Sequence, residues 1–428
     1  MMKNVIGIIG LGYVGLPLGV AFGKKFRTIG FDIDQKKVND LKKLFDKTNE
    51  IESKELEYVL NENVIENDLN GFYPTSKLGD LKVANIYIIT VPTPVTKNKK
   101  PDFKPLFNAS RSVGEIISKN DIVIYESTVY PGATEDECVP IIEKTSGLKY
   151  NLDFFVGYSP ERINPGDKQR TLEKIIKVTS GSNAETAIKV DNLYKEIIAA
   201  GTYLAPNIKT AEAAKVIENS QRDINIAFVN ELAKIFSLMD LDTNEVLDAA
   251  SSKWNFLNFK PGLVGGHCIG VDPYYIAQKS ISLGYNPEII LAGRKINDSM
   301  SSFVSNEVLR LMQSKNININ NSNVLIMGVT FKENCPDFRN TKVVDLYFQL
   351  ISKVKNIDIY DPLVDKVSFK KEYKINIMGE IMKKKYELII LAVPHKEFEN
   401  INLKLILKRK SVVYDIKNFL KMTVDGRL

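Results

Sequence analysis

The sequence predicts an α/β protein in which two doubly wound parallel sheets flank a helical middle. Three observations predict this class. Residues 3–31 read as strand, glycine-rich turn, helix and strand; residues 209–238 contain no Gly or Pro; and strands alternate with helices again after residue 322. Parallel strands need a crossover between them, so this alternation is typical of parallel sheets. A chain of 428 residues is long enough for two or three domains.

A glycine-rich turn directly follows the first predicted strand and precedes the first predicted helix. It has the form Gly10-x-Gly12-x-x-Gly15. In such a turn the first glycine makes the bend, the second lets the backbone approach a pyrophosphate, and the third packs helix on strand. Asp32 ends the next predicted strand, where an acid accepts from a ribose hydroxyl and repels a 2′-phosphate. The pattern predicts a Rossmann-type domain that binds NAD rather than NADP.

The uncharged run at residues 5–23 resembles a membrane span at first sight. It contains six glycines and one proline, however, and so many helix breakers argue against a spanning helix. The chain has no other long uncharged run. We therefore expect a cytoplasmic protein without a membrane association.

Three further predicted strands end in polar residues. They lead to Thr93, Thr128 and Glu161. Because ligands of doubly wound sheets bind beyond the carboxyl ends of the strands, the threonines are expected near cofactor and substrate. Glu161 is expected near the reacting groups, where a carboxylate can position or deprotonate water. The alternatives are turn chemistry beside proline for the threonines and a solvated surface acid for Glu161.

The segment at 209–238 predicts one long helix, roughly 45 Å in length at the usual rise per residue. Glu212, Lys215, Asn219 and Arg222 are spaced so that they stack on one face of it. This polar stripe is either the solvated face of the helix or the wall of a wet active site. In the second case Lys215 and Asn219 would reach the same point and could stabilise an oxyanion.

The segment at 260–275 has four glycines within nine residues and carries the thiol of Cys268. Glycine is poorly suited to helices and strands, so this segment predicts a loop that approaches a bulky group. A cysteine there, beside His267 and close to Asp272, is a candidate covalent nucleophile. The alternative is a small buried thiol with no chemistry. Asp272 before Pro273 also predicts a helix N-cap.

Composition excludes several classes of protein. Three scattered cysteines and two histidines leave no CxxC pair and no multi-histidine centre, so we expect no metal site and no disulfide framework. The net charge of +6 comes from dispersed lysines rather than from a basic stripe with aromatics, so nucleic acid is not expected as a partner. The C-terminal third repeats the α/β pattern without the glycine motif, and it predicts a site for a nucleotide-like ligand.

Six motifs follow one another along the chain. They are Gly10-x-Gly12-x-x-Gly15, Ser127-Thr128-x-x-Pro131-Gly132, Ser159-Pro160-Glu161-Arg162, Lys215-x-x-x-Asn219, Gly265-Gly266-His267-Cys268-x-x-x-Asp272-Pro273 and Phe331-Lys332-x-x-x-x-Asp337-x-Arg339. Together they resemble the UDP-glucose/GDP-mannose dehydrogenase family over nearly the whole chain. The amino-acid sequences of residues 259–268 and 331–337 are most similar to those of the branch that acts on UDP-N-acetylhexosamines.

This resemblance implies three domains: an NAD-binding Rossmann domain at 1–205, a central helical dimerisation domain at 206–310 and a Rossmann-like UDP-binding domain at 311–428. It also implies a homodimer, or a higher homo-oligomer, assembled through the central helix. The implied partner is a UDP-sugar substrate, and the implied cofactor is NAD.

The implied reaction oxidises the C6 alcohol of the sugar to a carboxylate and feeds surface polysaccharide synthesis. Cys268 would form a thiohemiacetal and then a thioester, which water hydrolyses. The resemblance assigns catalysis to Cys268, Lys215, Asn219, Asp272, Glu161 and Thr128. It assigns contacts with the cofactor to Gly10, Gly12, Tyr13, Val14, Gly15, Asp32, Thr93, Thr128 and Arg339. It assigns contacts with the substrate to Glu161, Arg162, Lys215, Asn219, Lys260, Gly265 and Lys332.

One departure from the family pattern concerns hydrolysis. Some members have a second glutamate four residues after the first, where this chain has Pro165. Three alternatives stay open from the sequence. UDP-GlcNAc is favoured as substrate, with UDP-GalNAc, UDP-ManNAc and UDP-glucose as the other candidates. The protein could instead be a two-electron sugar-nucleotide oxidoreductase with a structural Cys268, or a non-enzymatic NAD-sensing module.

Overall fold

The computed structural model of the protein describes residues 4–48, 50–67, 69–96, 98–163, 170–266, 269–381 and 384–428. The chain forms two compact units. The first contains the residues up to Glu218 together with Tyr274–Leu283, and the second contains Asn219–Pro273 together with Gly284–Leu428. The units divide the central residues between them, and the three domain boundaries expected from the sequence stay a prediction.

The first unit is built on a six-stranded parallel sheet. Its strands are β1 Val5–Ile9, β2 Arg27–Phe31, β3 Gly71–Thr75, β4 Ile86–Ile89, β5 Ile122–Tyr125 and β6 Phe155–Tyr158. They lie in the order β3-β2-β1-β4-β5-β6. This is the strand order of the Rossmann fold, and its direction reverses between β1 and β4. Every residue of β1, β4 and β5 is buried, as expected for a sheet covered on both faces. The predicted Rossmann-type domain is confirmed.

Helices and a small second sheet complete this unit. The helices are α1 Gly15–Gly23, α2 Gln35–Lys42, α3 Ser53–Val59, α4 Lys104–Gly114, α5 Val139–Ser146 and α6 Ala184–Lys195, and the small sheet pairs β7 Lys177–Thr179 with β8 Thr202–Leu204. Local sequence signals explain several helix starts. Asp34 caps α2 by accepting from two backbone N–H groups, and Asn183 caps α6 by accepting from the Thr186 N–H.

Long helices dominate the middle of the chain. They are α7 Ile208–Leu238, α8 Thr243–Ser251, α9 Asp272–Ser282 and α10 Glu288–Ser314. The predicted long helix is confirmed as α7, whereas α10, with 27 residues, was not predicted. Within the described residues, no helix combines the length and the apolar character needed to cross a membrane.

The second unit contains a five-stranded parallel sheet. Its strands are β9 Asn323–Met327, β10 Asn356–Tyr360, β11 Tyr386–Leu391, β12 Leu407–Asp415 and β13 Gly426–Arg427, and its later helices are α11 Lys342–Ile351 and α12 Lys366–Tyr373. The order β10-β9-β11-β12-β13 is the other common doubly wound order, in which the ligand crevice lies beyond the ends of the first and third strands. The predicted C-terminal α/β domain is confirmed.

A buried ion pair joins α7 and α10 within the second unit. Arg294 donates from Nη1 to Asp223 Oδ1 over 2.6 Å, and Asn297 donates to the same oxygen over 2.8 Å. Arg294 is 3% exposed, and the Asp223 side chain is fully buried. Burial raises the pKa of Asp223, and the Arg294 guanidinium opposes that rise. The guanidinium therefore compensates a carboxylate that has no access to water.

Replacing Arg294 with alanine leaves the Asp223 charge buried without its cation. We expect Arg294→Ala to lower the free energy of unfolding of the second unit by about 3–5 kcal/mol, the usual cost of breaking a buried pair. Urea unfolding followed by far-UV circular dichroism measures this change.

The matched control is Arg310→Ala on the same helix. Arg310 pairs with Glu307, but its side chain is 60% exposed. Exposed pairs contribute about 0–1 kcal/mol, so this variant should unfold close to the wild type. Equal losses in the two variants would contradict the role assigned to burial.

Candidate active site

The glycine turn of the first unit has the geometry that its sequence predicts. Gly10 has φ +98°, which favours glycine. A Cβ on Gly15 would lie 1.8 Å from the Gly10 carbonyl oxygen and 2.4 Å from Thr90 Oγ1, so no side chain fits there. A Cβ on Gly12 would meet nothing within 4 Å. The geometry of this turn therefore requires Gly10 and Gly15, whereas the space beside Gly12 is open.

The start of α1 is free to bind an anion. Val14, at its N-cap position, makes no side-chain capping bond, and the first turn holds no acidic residue. The backbone N–H groups of a helix start carry partial positive charge and attract phosphate. This loop lies where the sheet order reverses, and Thr90 Oγ1 fixes it by donating to the Gly10 carbonyl over 2.7 Å. The residues present therefore fit the pyrophosphate of a dinucleotide.

Asp32 lies at the end of β2, beside the glycine turn. Its Oδ2 accepts from the Leu11 backbone N–H over 2.9 Å and from Lys37 Nζ over 2.6 Å, and its Oδ1 accepts from the Asp34 N–H. The residue is 7% exposed. The carboxylate is thus held in one orientation next to the turn, and its contact with a ribose hydroxyl stays a prediction.

Thr93 and Thr128 lie together, because the strands that precede them, β4 and β5, are neighbours in the sheet. Thr93 Oγ1 donates to the Thr128 carbonyl oxygen over 2.8 Å. Tyr275, in α9, donates its hydroxyl to the Thr93 carbonyl over 2.6 Å. Tyr275 is fully buried and was not predicted from the sequence. The two loops at this edge of the sheet are therefore tied to each other, and their contacts with cofactor stay a prediction.

Glu161 lies in a buried cluster of charges rather than on the surface. Its Oε1 accepts from the backbone N–H groups of Arg162 and Ile163, each over 2.6 Å. Its Oε2 accepts from Lys177 Nζ over 2.8 Å, and the same ammonium donates to Glu126 over 2.7 Å. The alternative of a solvated surface acid is wrong, because Glu161 is only 8% exposed.

The protonation of the two carboxylates differs. Burial would raise the pKa of Glu161, but the Lys177 ammonium and the two backbone donors outweigh burial and hold it below its usual range. Burial raises the pKa of Glu126 to about 7, with Lys177 opposing the rise and Glu161 adding to it. The Tyr194 hydroxyl also donates to Glu126. The same cluster therefore lowers the pKa of Glu161 and raises that of Glu126.

The polar stripe of α7 is only partly solvated: Arg222 is exposed and Asn219 is half-buried. In the first unit Glu212 is fully buried and Lys215 is 8% exposed. Glu212 accepts from the backbone N–H groups of Gly132 and Thr134, which follow Thr128 in the chain, and burial raises its pKa to about 7. Arg162, a predicted substrate residue, forms an ion pair with Glu218 over 2.6 Å.

In the second unit, Asn219 and Asp272 form a direct contact. Asn219 Nδ2 donates to Asp272 Oδ2 over 2.5 Å, and Asp272 is 2% exposed. Asp272 is the first residue of α9 rather than the N-cap that its sequence context predicted. It orients the Asn219 amide. Lys215 belongs to the first unit, so its predicted approach to the same point as Asn219 stays a prediction.

The glycine-rich loop packs tightly in the second unit up to residue 266. A Cβ on Gly265 would lie 2.5 Å from the Asn340 carbonyl oxygen, and Gly266 has φ +86°. Gly266 N–H donates to the Asn340 carbonyl, and Asn340 Nδ2 returns a bond to the Gly266 carbonyl over 3.1 Å. His267 and the predicted nucleophile Cys268 lie outside the described residues. Lys260, at the start of the loop, is exposed.

The loop after β9 carries the predicted residues Lys332 and Arg339. Arg339 forms a bidentate pair with Asp337, with Nη2 to Oδ2 at 2.6 Å. The Lys332 ammonium lies 5.6 Å from the Phe331 ring centroid. His395 holds this loop in place, because its Nδ1 accepts from the Asn334 N–H. The ring proton is therefore on Nε2, which lies 3.0 Å from Asp361 Oδ2. Their roles toward cofactor and substrate stay predictions.

Three models of one protein family match the chain in sequence order. They are described as the UDP-glucose/GDP-mannose dehydrogenase family NAD binding domain, matched by residues 4–198, its central domain, matched by residues 209–299, and its UDP binding domain, matched by residues 325–422. The three matches together span most of the chain.

Individual proteins are similar over nearly the full length. The chain is 52% identical to a UDP-N-acetyl-D-glucosamine 6-dehydrogenase of Pseudomonas aeruginosa, with 98% of both chains covered. It is also 52% identical to the Salmonella typhi protein described by the same name, with 96% and 95% covered. Among solved structures, a UDP-D-ManNAc dehydrogenase from Pyrococcus horikoshii superposes with a TM-score of 0.87 at 27% identity, covering 99% and 98%.

The role of Gly15 in cofactor binding can be tested by adding one carbon atom. We expect Gly15→Ala to raise the Kd for NAD by about tenfold or more, because the added Cβ must displace the backbone of the phosphate-binding turn. Isothermal titration calorimetry measures the affinity, and circular dichroism checks that the variant is folded.

Gly79→Ala serves as the control in the same unit. A Cβ at Gly79 meets nothing within 4 Å, so this variant should bind NAD like the wild type. Unchanged NAD affinity in Gly15→Ala would show that the close approach to Gly10 has no part in cofactor binding.

Proposed function

The chain belongs to the UDP-glucose/GDP-mannose dehydrogenase family, and we propose that it oxidises the C6 alcohol of UDP-N-acetyl-D-glucosamine to the uronate. It is an NAD-dependent UDP-sugar dehydrogenase with a parallel-sheet domain for each nucleotide. The observation that carries the choice of sugar is the 52% identity over nearly the whole chain to two UDP-N-acetyl-D-glucosamine 6-dehydrogenases. The first unit's open space beside Gly12, at the uncapped start of α1, supports the cofactor.

The proposed chemistry removes four electrons from C6 in two steps. NAD, when bound, supplies the acceptor for the hydrides. Loss of the first hydride turns the alcohol into an aldehyde, to which the Cys268 sulfur adds to form a thiohemiacetal. This addition matters because it restores a tetrahedral carbon that bears both hydrogen and oxygen. Loss of the second hydride then leaves a thioester, which water hydrolyses to the carboxylate and the free thiol.

The described residues support specific roles in these steps. Asn219, held by Asp272, presents an amide in a fixed orientation, and a preorganised donor of this kind stabilises a developing oxyanion. Lys215 is proposed to share this task from the same helix. Glu161 is proposed to act on the hydrolytic water, because its carboxylate is ionised and fixed at the end of β6. Lys332 is proposed to contact the sugar nucleotide and Arg339 the cofactor.

We also propose that the protein assembles through its central helices. In the second unit, large apolar side chains are exposed along and after α7: Phe228, Ile235, Leu238, Met239, Leu241, Trp254 and Leu257. Trp254, the only tryptophan of the chain, is 92% exposed. An exposed apolar stretch of this kind along the chain favours burial against another protein surface, and a second copy of the same chain is the proposed occupant. The cytoplasmic location stays a prediction.

A panel of UDP-sugars tests the proposed substrate. With NAD in excess, we expect UDP-GlcNAc to give a higher kcat/KM than UDP-GalNAc, UDP-ManNAc or UDP-glucose, and two NADH for each uronate formed. Absorbance at the nicotinamide band and mass spectrometry of the product measure both quantities. One NADH per ketone product would instead indicate a two-electron oxidoreductase, and preference for another sugar would overturn the choice of UDP-GlcNAc.

Two cysteine variants extend this experiment to the thiol. Cys268→Ser should lose uronate formation while retaining NAD binding, because an oxygen ester cannot take over the thioester step at a useful rate. Cys138→Ala is the control, because Cys138 is buried in the first unit and burial raises its pKa to about 12. Full uronate yield from Cys268→Ser would rule out the covalent intermediate.

The assembly proposal predicts that a charge on the apolar stretch separates the copies. We expect the wild type to have the mass of a dimer, or of a multiple of it, in light scattering after size exclusion, and Phe228→Glu to shift it toward the monomer. Phe348→Glu, on α11, is the control, since Phe348 is equally exposed at 55% but lies outside the stretch. A monomeric wild type, or a Phe228→Glu variant of unchanged mass, contradicts the proposal.

A further inference from the structure

Lys177 is buried between two carboxylates in the first unit. Its Nζ lies 2.7 Å from Glu126 Oε2 and 2.8 Å from Glu161 Oε2. The side chains are 2%, 0% and 9% exposed for Lys177, Glu126 and Glu161. The two acids are thus bridged by one ammonium group, and Glu161 lies nearest to solvent.

The topology explains why these three residues meet. Glu126 directly follows β5 and Glu161 follows β6, which pairs with β5 in parallel, so both acids lie at the carboxyl edge of the sheet. Lys177 is the first residue of β7. The Ser159 hydroxyl, just after β6, donates to the Val178 carbonyl of β7 over 2.8 Å. Strand β7 therefore places the Lys177 ammonium at the carboxyl ends of β5 and β6.

Stability alone is a poor reason for this arrangement. Three charged groups lose their hydration here, and apolar residues of similar volume are often as stable as a buried ion pair, or more so. The cluster also adjoins Ser127-Thr128 and contains Glu161, both of which belong to the proposed active site. Such a cluster at a ligand-binding edge indicates a role in the chemistry.

We propose that Lys177 is a positioning residue for the hydrolytic half-reaction, holding the Glu161 carboxylate ionised and oriented toward the substrate water. Glu126 balances the charge of Lys177 from the side away from solvent. The inference rests on the proposed function.

Lys177 supports the hydrolysis of the thioester. The oxygen of water bonds to the thioester carbon C6, the carbon–sulfur bond breaks, and sulfur leaves as a thiolate. One proton of the water passes to Glu161. The uronic acid formed at C6 loses the other proton to solvent. The step involves no change of oxidation state, so it requires no further acceptor.

The charges around Glu161 give the sign of a pH effect. Burial raises its pKa, while Lys177 and the backbone N–H groups of Arg162 and Ile163 lower it by more. Glu126, which also accepts from Tyr194, adds negative charge on the far side of Lys177. Removing Lys177 therefore raises the pKa of Glu161, so a fraction of it becomes protonated near neutral pH. Hydrolysis should then be slow at low pH and recover as the pH rises.

The test compares Lys177→Met with Lys177→Arg in the full-length enzyme, using UDP-GlcNAc and NAD. We expect Lys177→Met to lower kcat for uronate at pH 7 by at least about tenfold. The kcat/KM for UDP-GlcNAc and the first NADH burst should stay close to the wild type, KM should fall together with kcat, and the covalent adduct should accumulate in rapid-quench mass spectrometry. The rate of uronate formation by Lys177→Met should recover at higher pH. Lys177→Arg should retain most of the wild-type rate at pH 7.

Two further variants keep the result interpretable. Should Lys177→Met fail to fold, the double variant Lys177→Met/Glu126→Gln removes one of the two uncompensated carboxylates, and the same loss of hydrolysis is expected from it. Lys189→Met is the control for loss of a lysine, because Lys189 forms only an exposed pair with Glu185 in the same unit.

The outcomes separate this inference from the proposed function. Wild-type hydrolysis rates in Lys177→Met, or losses of NAD binding and of the first hydride step that match the loss of hydrolysis, would overturn the positioning role alone. Absence of NADH from the wild type with every UDP-sugar would overturn the proposed function, and this inference with it.

Discussion

The constraint on which the first unit depends is the contact between the Gly10 carbonyl and Gly15. The chain leaves β1, turns within a few residues and enters α1, and the carbonyl oxygen of the turn lies where a Cβ of Gly15 would be. Thr90, at the end of the adjacent strand β4, donates to that same carbonyl. The turn is thereby tied to the point where the strand order reverses. The N-terminal end of α1 therefore faces the crevice at that point. Asp32, Thr93, Thr128 and Glu161, which follow other strands of this sheet, lie at the same edge.

Charge burial is the second theme of the molecule. Several acids are buried and accept hydrogen bonds from N–H groups or cations: Glu126, Glu161, Glu212, Asp223 and Asp361. Some of them fix loops, as Glu212 does for the segment after Thr128. The Lys177 bridge and the Asn219–Asp272 pair instead hold groups that the proposed chemistry requires.

Most of the fold could be predicted because local signals agree with it. Apolar strands, glycine turns and an unbroken helix at 208–238 have patterns that short segments display by themselves. Helix α10 escaped prediction for a physical reason: its buried face includes Arg294, Asn297, Ser301 and Ser305, so polar residues interrupt the apolar period. The candidate site could be predicted where motifs carry it, as for Gly10, Gly15 and Glu161. Lys177 could not, because its carboxylate partners are 16 and 51 residues away and only the tertiary fold brings them together.

The difference between Gly12 and Gly15 also affects how this protein can change over evolutionary time. Position 15 is constrained by the backbone itself, so any descendant that keeps this turn geometry must keep glycine there, whatever it does. Position 12 borders open space, and only a bound dinucleotide restricts it. A duplicated gene released from catalysis would therefore accumulate larger residues at position 12 first. Within such a lineage, that single codon would distinguish a working enzyme from a folded but inactive paralogue.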